Sequence, residues 1–359
     1  MNDYEIWYAL SKLSYTAKNK LLNNFKTVEN IWYHSMSDEK NDCMNNETKI
    51  ILRKAWNIEK IKYIKSIIIS MRIGTVTITD DLYPERLKKY DDSPYMLFFK
   101  GNIKDLNKKH NVAIVGSRKC TSYGINVTNI ITHHMCQNGI NIISGMAKGI
   151  DTAAHKKCVE NNSYTCAVLG SGIDIIYPRE NFNLAKDIVN NGCIISQFIP
   201  GTRPYPYNFP IRNKIISGVS DVVIVVEAGE KSGSLITAGS ALDQGKDVMA
   251  VPGDIFSDQS KGTNKLIKDG AYVLTCIEDI YDILKIDKVN FIANNNKKIS
   301  PSEKIVYDSI KSSPIHFDEL LRITKIDIKQ LYEVLFELQL KDEIMCLSGN
   351  FYVRNNKKI

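Results

Sequence analysis

No two of the eight cysteines form a C-x-x-C pair, and they are spread from Cys43 to Cys346. That spacing excludes zinc ribbons and thioredoxin-like redox motifs. Several sit in apolar runs, as in Cys166-Ala167-Val168-Leu169, and read as reduced, packed thiols. No metal site is expected. Apolar runs long enough to cross a bilayer, ~20 residues, are also missing. The opening Met1-Asn2-Asp3-Tyr4-Glu5 has neither a basic n-region nor an apolar h-region. A cytoplasmic protein with no membrane partner is expected. A strong charge of either sign is absent too: the formal net charge is +7. That permits an anionic polymer as partner without demanding one. The chain also lacks a G-x-G-x-x-G turn after its first long strand. Gly116-Ser117-Arg118-Lys119-Cys120 stands there, and Ser144-Gly145 replaces the acid that would hold a ribose hydroxyl. A nicotinamide or flavin dinucleotide site is therefore not expected, and no cofactor is assigned.

What is present divides 359 residues into several regions. Residues 1–70 read as short helices, with Ile6, Leu10 and Leu13 on one face and Leu21, Leu22 and Phe25 on another. Residues 71–110 read as a connecting segment, broken at Tyr83-Pro84 and Ser93-Pro94, with one short strand at Tyr95–Phe99. From 111 to 285, apolar β-branched strands alternate with helices. The spacing predicts an α/β, Rossmann-like doubly wound parallel sheet covered on both faces. Ligands then bind beyond the carboxyl ends of the strands. Residues 286–300 read as a linker around Asn294-Asn295-Asn296. Residues 301–359 read as three helices and a terminal hairpin, the winged-helix pattern.

Four strand–helix turns carry small residues that suit an anion. The first holds Gly116, Ser117 and Arg118, the second Gly145, Lys148 and Gly149. Asp151 and His155 follow the second turn. They read as a helix-start residue and a packed side chain rather than as catalysts. The third turn, Gly170-Ser171-Gly172, leads to Arg179 and Asn181 at the next helix start. The fourth holds Ser232, Gly233 and Ser234. Four turns outnumber the phosphates of a mononucleotide and suit a chain of phosphates. In Arg203–Lys214, cations and rings interleave: Tyr207, Phe209, Arg212, Asn213 and Lys214 lie in one run. Single strands are gripped in this way, with cations on phosphates and rings on unpaired bases.

Taken in order, several motifs closely resemble the DNA processing protein A family (DprA, also called Smf). They are Gly116-Ser117-Arg118 with Tyr123-Gly124, Ser144–Asp151 with Ala154-His155, Tyr177-Pro178, Phe209-Pro210 with Arg212-Asn213, Ser232–Ala238 and Val251-Pro252-Gly253. The resemblance implies a single-stranded-DNA-binding protein that protects incoming DNA and loads the RecA recombinase onto it in natural transformation. It implies no catalytic turnover and a tendency to form homodimers. Arg118 falls on the family's Gly-Ser-Arg cation, and Arg179 and Arg212 on further basic positions. Leu266 and Ile267 are the residues assigned to a dimer surface. The resemblance also implies an N-terminal domain of SAM or helix-hairpin-helix type. Here Leu13-Ser14-Tyr15-Thr16-Ala17 lacks the glycines of a DNA-backbone hairpin. In the tail, Glu333 and Glu337 on the would-be recognition helix carry the wrong sign for phosphates, which favours protein contact or packing.

An enzymatic alternative is a nucleotide phosphoribohydrolase of related fold. Such enzymes use a P-G-G-x-G-T turn with acids beside it. The helix Leu235–Leu242 contains no acid, so the general base is missing from its expected place.

Overall fold

The computed structural model describes residues 1–37, 43–286, 300–311, 313–340, 343–347 and 349–355. The expected linker at 286–300 lies almost wholly outside them. The chain divides into two compact units, Met1–Lys285 and Ile286–Ile359.

The first unit begins with five helices: α1 (Asp3–Leu10), α2 (Tyr15–Phe25), α3 (Val28–Met36), α4 (Asn46–Ala55) and α5 (Ile58–Ser70). Polar residues start each one. The side chains of Asn2, Ser14, Thr27, Asn45 and Asn57 accept N–H bonds from the first turns of α1 to α5. Two strands follow, β1 (Gly74–Thr77) and β2 (Met96–Gly101), with the short α6 (Glu85–Lys88) between them. The alternating region then runs β3 (Asn111–Val115), α7 (Ser122–Gln137), β4 (Asn141–Ser144), α8 (Ile150–Glu160), β5 (Thr165–Val168), α9 (Phe182–Asn191) and β6 (Cys193–Ser196). It continues with α10 (Asn208–Gly218), β7 (Val222–Val225), α11 (Gly233–Asp243), β8 (Asp247–Ala250), α12 (Lys261–Lys268), β9 (Tyr272–Val273) and α13 (Glu278–Leu284).

These strands form one sheet in the order β1-β2-β6-β5-β4-β3-β7-β8-β9. From β6 to β9 all neighbours are parallel, as expected for a doubly wound sheet. The segment 71–110 does more than connect: β1 pairs with β2, and β2 with β6, both antiparallel. The helical N-terminus is likewise not separate in its packing. Trp7, Ile31, Leu52 and Ile61 share a core with Ala167, Ile188 and Ile194 from the sheet and α9. A second core covers the opposite face, with Val115, Val168, Ile195, Ile215 and Val225. Alternate residues of β5 and β6 thus point into different cores. The strand order reverses between β3 and β7, which opens a crevice at their carboxyl ends.

The second unit contains α14 (Pro301–Ser309), β10 (Ile315–His316), α15 (Phe317–Thr324), α16 (Ile328–Leu340), β11 (Ile344–Leu347) and β12 (Phe351–Arg354). Its sheet has the order β10-β12-β11. Leu331, Val334, Leu335 and Leu338 turn the apolar stripe of α16 into the core, and Glu333 and Glu337 are exposed. Among the described residues, no helix is long and apolar enough to cross a membrane.

Candidate nucleic-acid interface

The turn between β4 and α8 already holds an anion, and it is the chain's own. Oδ2 of Asp151 accepts the N–H of Gly145 at 3.1 Å and of Ala147 at 3.3 Å. Met146, at φ 59°, bends the backbone between those two donors. Burial raises the Asp151 carboxyl above its ordinary range, against the pull of the Arg212 charge and the two N–H bonds. The Gly145 donor expected for a phosphate is therefore taken.

The expectation for Arg212 is corrected with it. Its side chain is only 4% exposed, and Nη1 donates to the carbonyls of Gly145 and Val168 while Nε donates to Asn213 Oδ1. Burial lowers its pKa to about 10, with Asp151 opposing. This buried cation ties α10 to the ends of β4 and β5. Asn213 is inward as well, and its Nδ2 donates to the Gly233 carbonyl at 3.3 Å. It positions the start of α11. His155 is fully buried, with Nδ1 2.7 Å from Thr165 Oγ1. Burial, then the Arg212 charge, lowers its pKa to about 3. It is a neutral packed side chain.

The first turn is filled in the same manner by an acid the sequence reading left unassigned. Glu227, at the end of β7, is 2% exposed and accepts both the N–H and the hydroxyl of Thr121, the N-cap of α7. Ser117 does not present its hydroxyl to solvent; Oγ donates to Gln259 Oε1 at 2.6 Å. The glycines here serve packing. A Cβ on Gly116 would lie 2.6 Å from Ile150, and one on Gly145 2.7 Å from Arg212. On Gly149, at φ 79°, it would strike the Ser117 carbonyl. In the third turn, Asp174 accepts the Gly201 N–H at 2.9 Å through either carboxylate oxygen.

The fourth turn differs. Ser232 caps α11, its Oγ accepting the Ser234 N–H, and the first turn of the helix contains no acid. Ser234 is buried beside that cap, its hydroxyl 2.7 Å from Ser232 Oγ. Gly233 is exposed, and a Cβ there would meet nothing within 4 Å. This helix terminus is open, and it lies at the β3–β7 crevice.

Exposed cations surround it along the carboxyl edge. Arg118 and Lys119 follow β3, Arg179 lies between β5 and α9, Arg203 follows β6 and Lys231 follows β7. None of the five has a carboxylate partner among the described residues. Arg203 opens the cation-and-ring run read in the sequence, whereas Lys119 and Lys231 are additions from the structure; a lysine at a strand's carboxyl end is the sequence signal that finds them. Lys148 is exposed but pairs with Glu180 at 2.8 Å, and Lys214 pairs with Asp92 at 2.7 Å. Phe209 organises the middle of the edge. The Arg118 guanidinium lies 5.5 Å from its ring centre and the Tyr177 ring 5.9 Å. Tyr207, 64% exposed, stacks on Tyr205 at 5.4 Å with an interplanar angle of 7°. Leu266 and Ile267, expected at a dimer surface, are both half-buried, Leu266 with part of its side chain against the sheet core.

Residues 74–285 match the family model of DNA recombination-mediator protein A, and residues 295–350 match the DprA winged helix domain. The chain belongs to this family. It is 42% identical over 219 residues to DNA processing protein DprA of Bacillus subtilis, covering 61% of this chain and 74% of that one. It is 36% identical over 291 residues to Protein Smf of Escherichia coli, covering 76% and 75% respectively. Among solved structures, DprA of Streptococcus pneumoniae superposes with a TM-score of 0.69 at 34% identity, covering 79% of this chain and 98% of that one. DprA of Helicobacter pylori, described by its single-stranded DNA binding mode, gives 0.54 at 29% identity, covering 59% and 95%.

Proposed function

We propose that the carboxyl edge of the large sheet binds single-stranded DNA, and that the protein delivers that strand to the RecA recombinase during transformation or recombination. The open N-terminus of α11, flanked at the strand-order reversal by cations with no carboxylate partner among the described residues, carries this reading. A helix terminus and arginines hold phosphates, and exposed rings such as Tyr207 stack on bases. The family membership and the Helicobacter pylori relative support it. The edge reads no particular sequence, because backbone N–H groups and stacking do not distinguish bases.

Binding without turnover is part of the proposal. Asp151 and Glu227 are engaged by N–H and hydroxyl donors, and His155 is buried and neutral, so the turns offer no poised base. We further propose a cytoplasmic homodimer. The exposed Ile255, Phe256 and Tyr272 of the β8–β9 region are better placed for self-association than Leu266.

A gel-shift comparison of single-stranded and duplex oligonucleotides at fixed salt, with and without RecA, tests the proposal. Preference for the single strand and faster RecA filament growth are expected. Equal affinity for duplex overturns the DNA assignment. No effect on RecA overturns the loading step alone. Release of free base from a nucleoside monophosphate overturns the non-enzymatic reading.

A further inference from the structure

Two cysteines meet at the far ends of the helices that follow the first two turns. Cys136 lies in the last turn of α7 and Cys158 in the last turn of α8, with their sulfurs 3.6 Å apart. A disulfide needs about 2.05 Å, so side-chain rotation of roughly 1.5 Å closes the gap. The two are unequal. Cys136 is 8% exposed, whereas Cys158 is fully buried. The two sulfurs are in hydrogen-bond contact; interaction with Cys158, aided by Ser163 and Lys157, lowers the Cys136 thiol, and burial opposes it. Burial raises the Cys158 thiol. Cys136 is therefore the less buried sulfur and the one whose thiol is lowered, whereas burial holds Cys158 protonated.

We propose that Cys136 and Cys158 are a modification site, a dithiol that low-molecular-weight disulfides oxidise to an internal cross-link between α7 and α8. The Cys136 thiolate attacks one sulfur of glutathione disulfide, forming a mixed disulfide and releasing one glutathione thiolate. Cys158 then loses its proton and attacks the Cys136 sulfur, and the second glutathione leaves. Two protein thiols are oxidised and one disulfide is reduced to two thiols. The cross-link ties together the two helices whose opposite ends carry the Arg118 and Lys148 turns. A second pair marks the contrast. Cys166 and Cys193 are register neighbours on β5 and β6, and both are fully buried. With both residues fully buried, this pair is expected to stay reduced under the same treatment.

The test treats the full chain with glutathione disulfide, blocks remaining thiols in denaturant, and maps tryptic peptides without reduction. Exposed Cys43 and Cys346 report that the reagent has acted. Loss of two thiols and a peptide linking Cys136 to Cys158 are expected. Cys158→Ser is expected to stall at a mixed disulfide on Cys136, and Cys136→Ser to abolish reaction at both positions. Blocked, unlinked Cys136 and Cys158 in a sample whose Cys43 and Cys346 are oxidised overturn the proposal. So does a Cys166–Cys193 link formed at the same rate.

Discussion

The β4–α8 and β7–α11 turns have the same plan and opposite fates. Each leads a buried strand through small residues into a helix of eleven residues. At the second helical position, however, α8 has Asp151 and α11 has Ser234. The aspartate turns back on its own loop and consumes the donors that a phosphate would use. Among the described residues the serine side chain bonds only to the cap, and the glycine before it leaves the terminus open. One residue therefore decides whether a strand–glycine–helix turn is a structural brace or a binding station. The brace is polar and buried, so it resists loss; the station is exposed, so it tolerates substitution.

The largest effect comes from giving α8 the residue that α11 has. Asp151→Ser removes the acid that acts on buried Arg212 among the described residues and takes the carboxylate away from the Gly145 and Ala147 donors. Deleting one partner of a buried charge pair costs about 3–5 kcal/mol. Urea unfolding is expected to show that loss, and an unchanged midpoint would break the brace account.

Acid probes the same brace. His155 has a folded pKa of about 3 against an ordinary 6.5, so the unfolded chain takes its proton first. Its contribution is complete above pH 6.5 and is lost as pH falls toward 3. The slope is roughly 1.4 kcal/mol per pH unit, or about 2 kcal/mol lost at pH 5 relative to pH 7. Asp151 works in the other direction. Its raised carboxyl takes a proton more readily when folded, so its contribution falls as pH rises through the folded value. Unfolding curves of wild type and His155→Gln between pH 7 and 5 separate the two. Equal slopes would remove His155 from the account.

The division between brace and station explains what the sequence disclosed. The strands from β3 to β8 were legible because both of their faces are buried, so their apolar runs are unbroken. The strand β1, four residues with only Val76 and Thr77 buried, gives no such signal, and the sheet therefore extends beyond its expected edge. Arg118 was legible as an exposed cation after a strand. Arg212 was not separable from it by composition, because Arg212-Asn213-Lys214 reads as one basic run. Helical geometry divides that run, sending Arg212 and Asn213 inward and Lys214 to solvent. The sequence of the second turn suits a phosphate, and the structure places the Asp151 carboxylate on its donors instead. An acid in the first turn of a helix complements the dipole wherever it points, and only the bend at Met146 aims this one at the loop.

Filling the station is the converse change. Gly233→Asp puts a carboxylate at the start of α11, where an added side chain meets nothing within 4 Å. The fold is expected to hold. A charge-assisted bond to phosphate is worth about 1.5–3 kcal/mol, so single-strand affinity is expected to fall roughly tenfold or more. Fluorescence anisotropy at fixed salt measures it. Undiminished affinity would place the strand elsewhere on the edge.

The smallest effects separate the unpaired from the paired cation. Arg118 has no carboxylate partner among the described residues, so DNA is expected to release a counterion when it meets this side chain. Arg118→Ala is expected to lower affinity and to make the slope of log affinity against log salt shallower by about 0.7, the single-strand value for one phosphate contact. Lys148 must first leave Glu180, an exposed pair worth about 0–1 kcal/mol. Lys148→Ala is therefore expected to change the slope by less than Arg118→Ala, and Glu180→Gln to increase the Lys148 contribution. Titrations at four salt concentrations resolve the order. If Lys148→Ala reduces the slope as much as Arg118→Ala, the ion pair does not restrain Lys148, and the second turn, although braced from within by Asp151, still lends its outer cation to the strand.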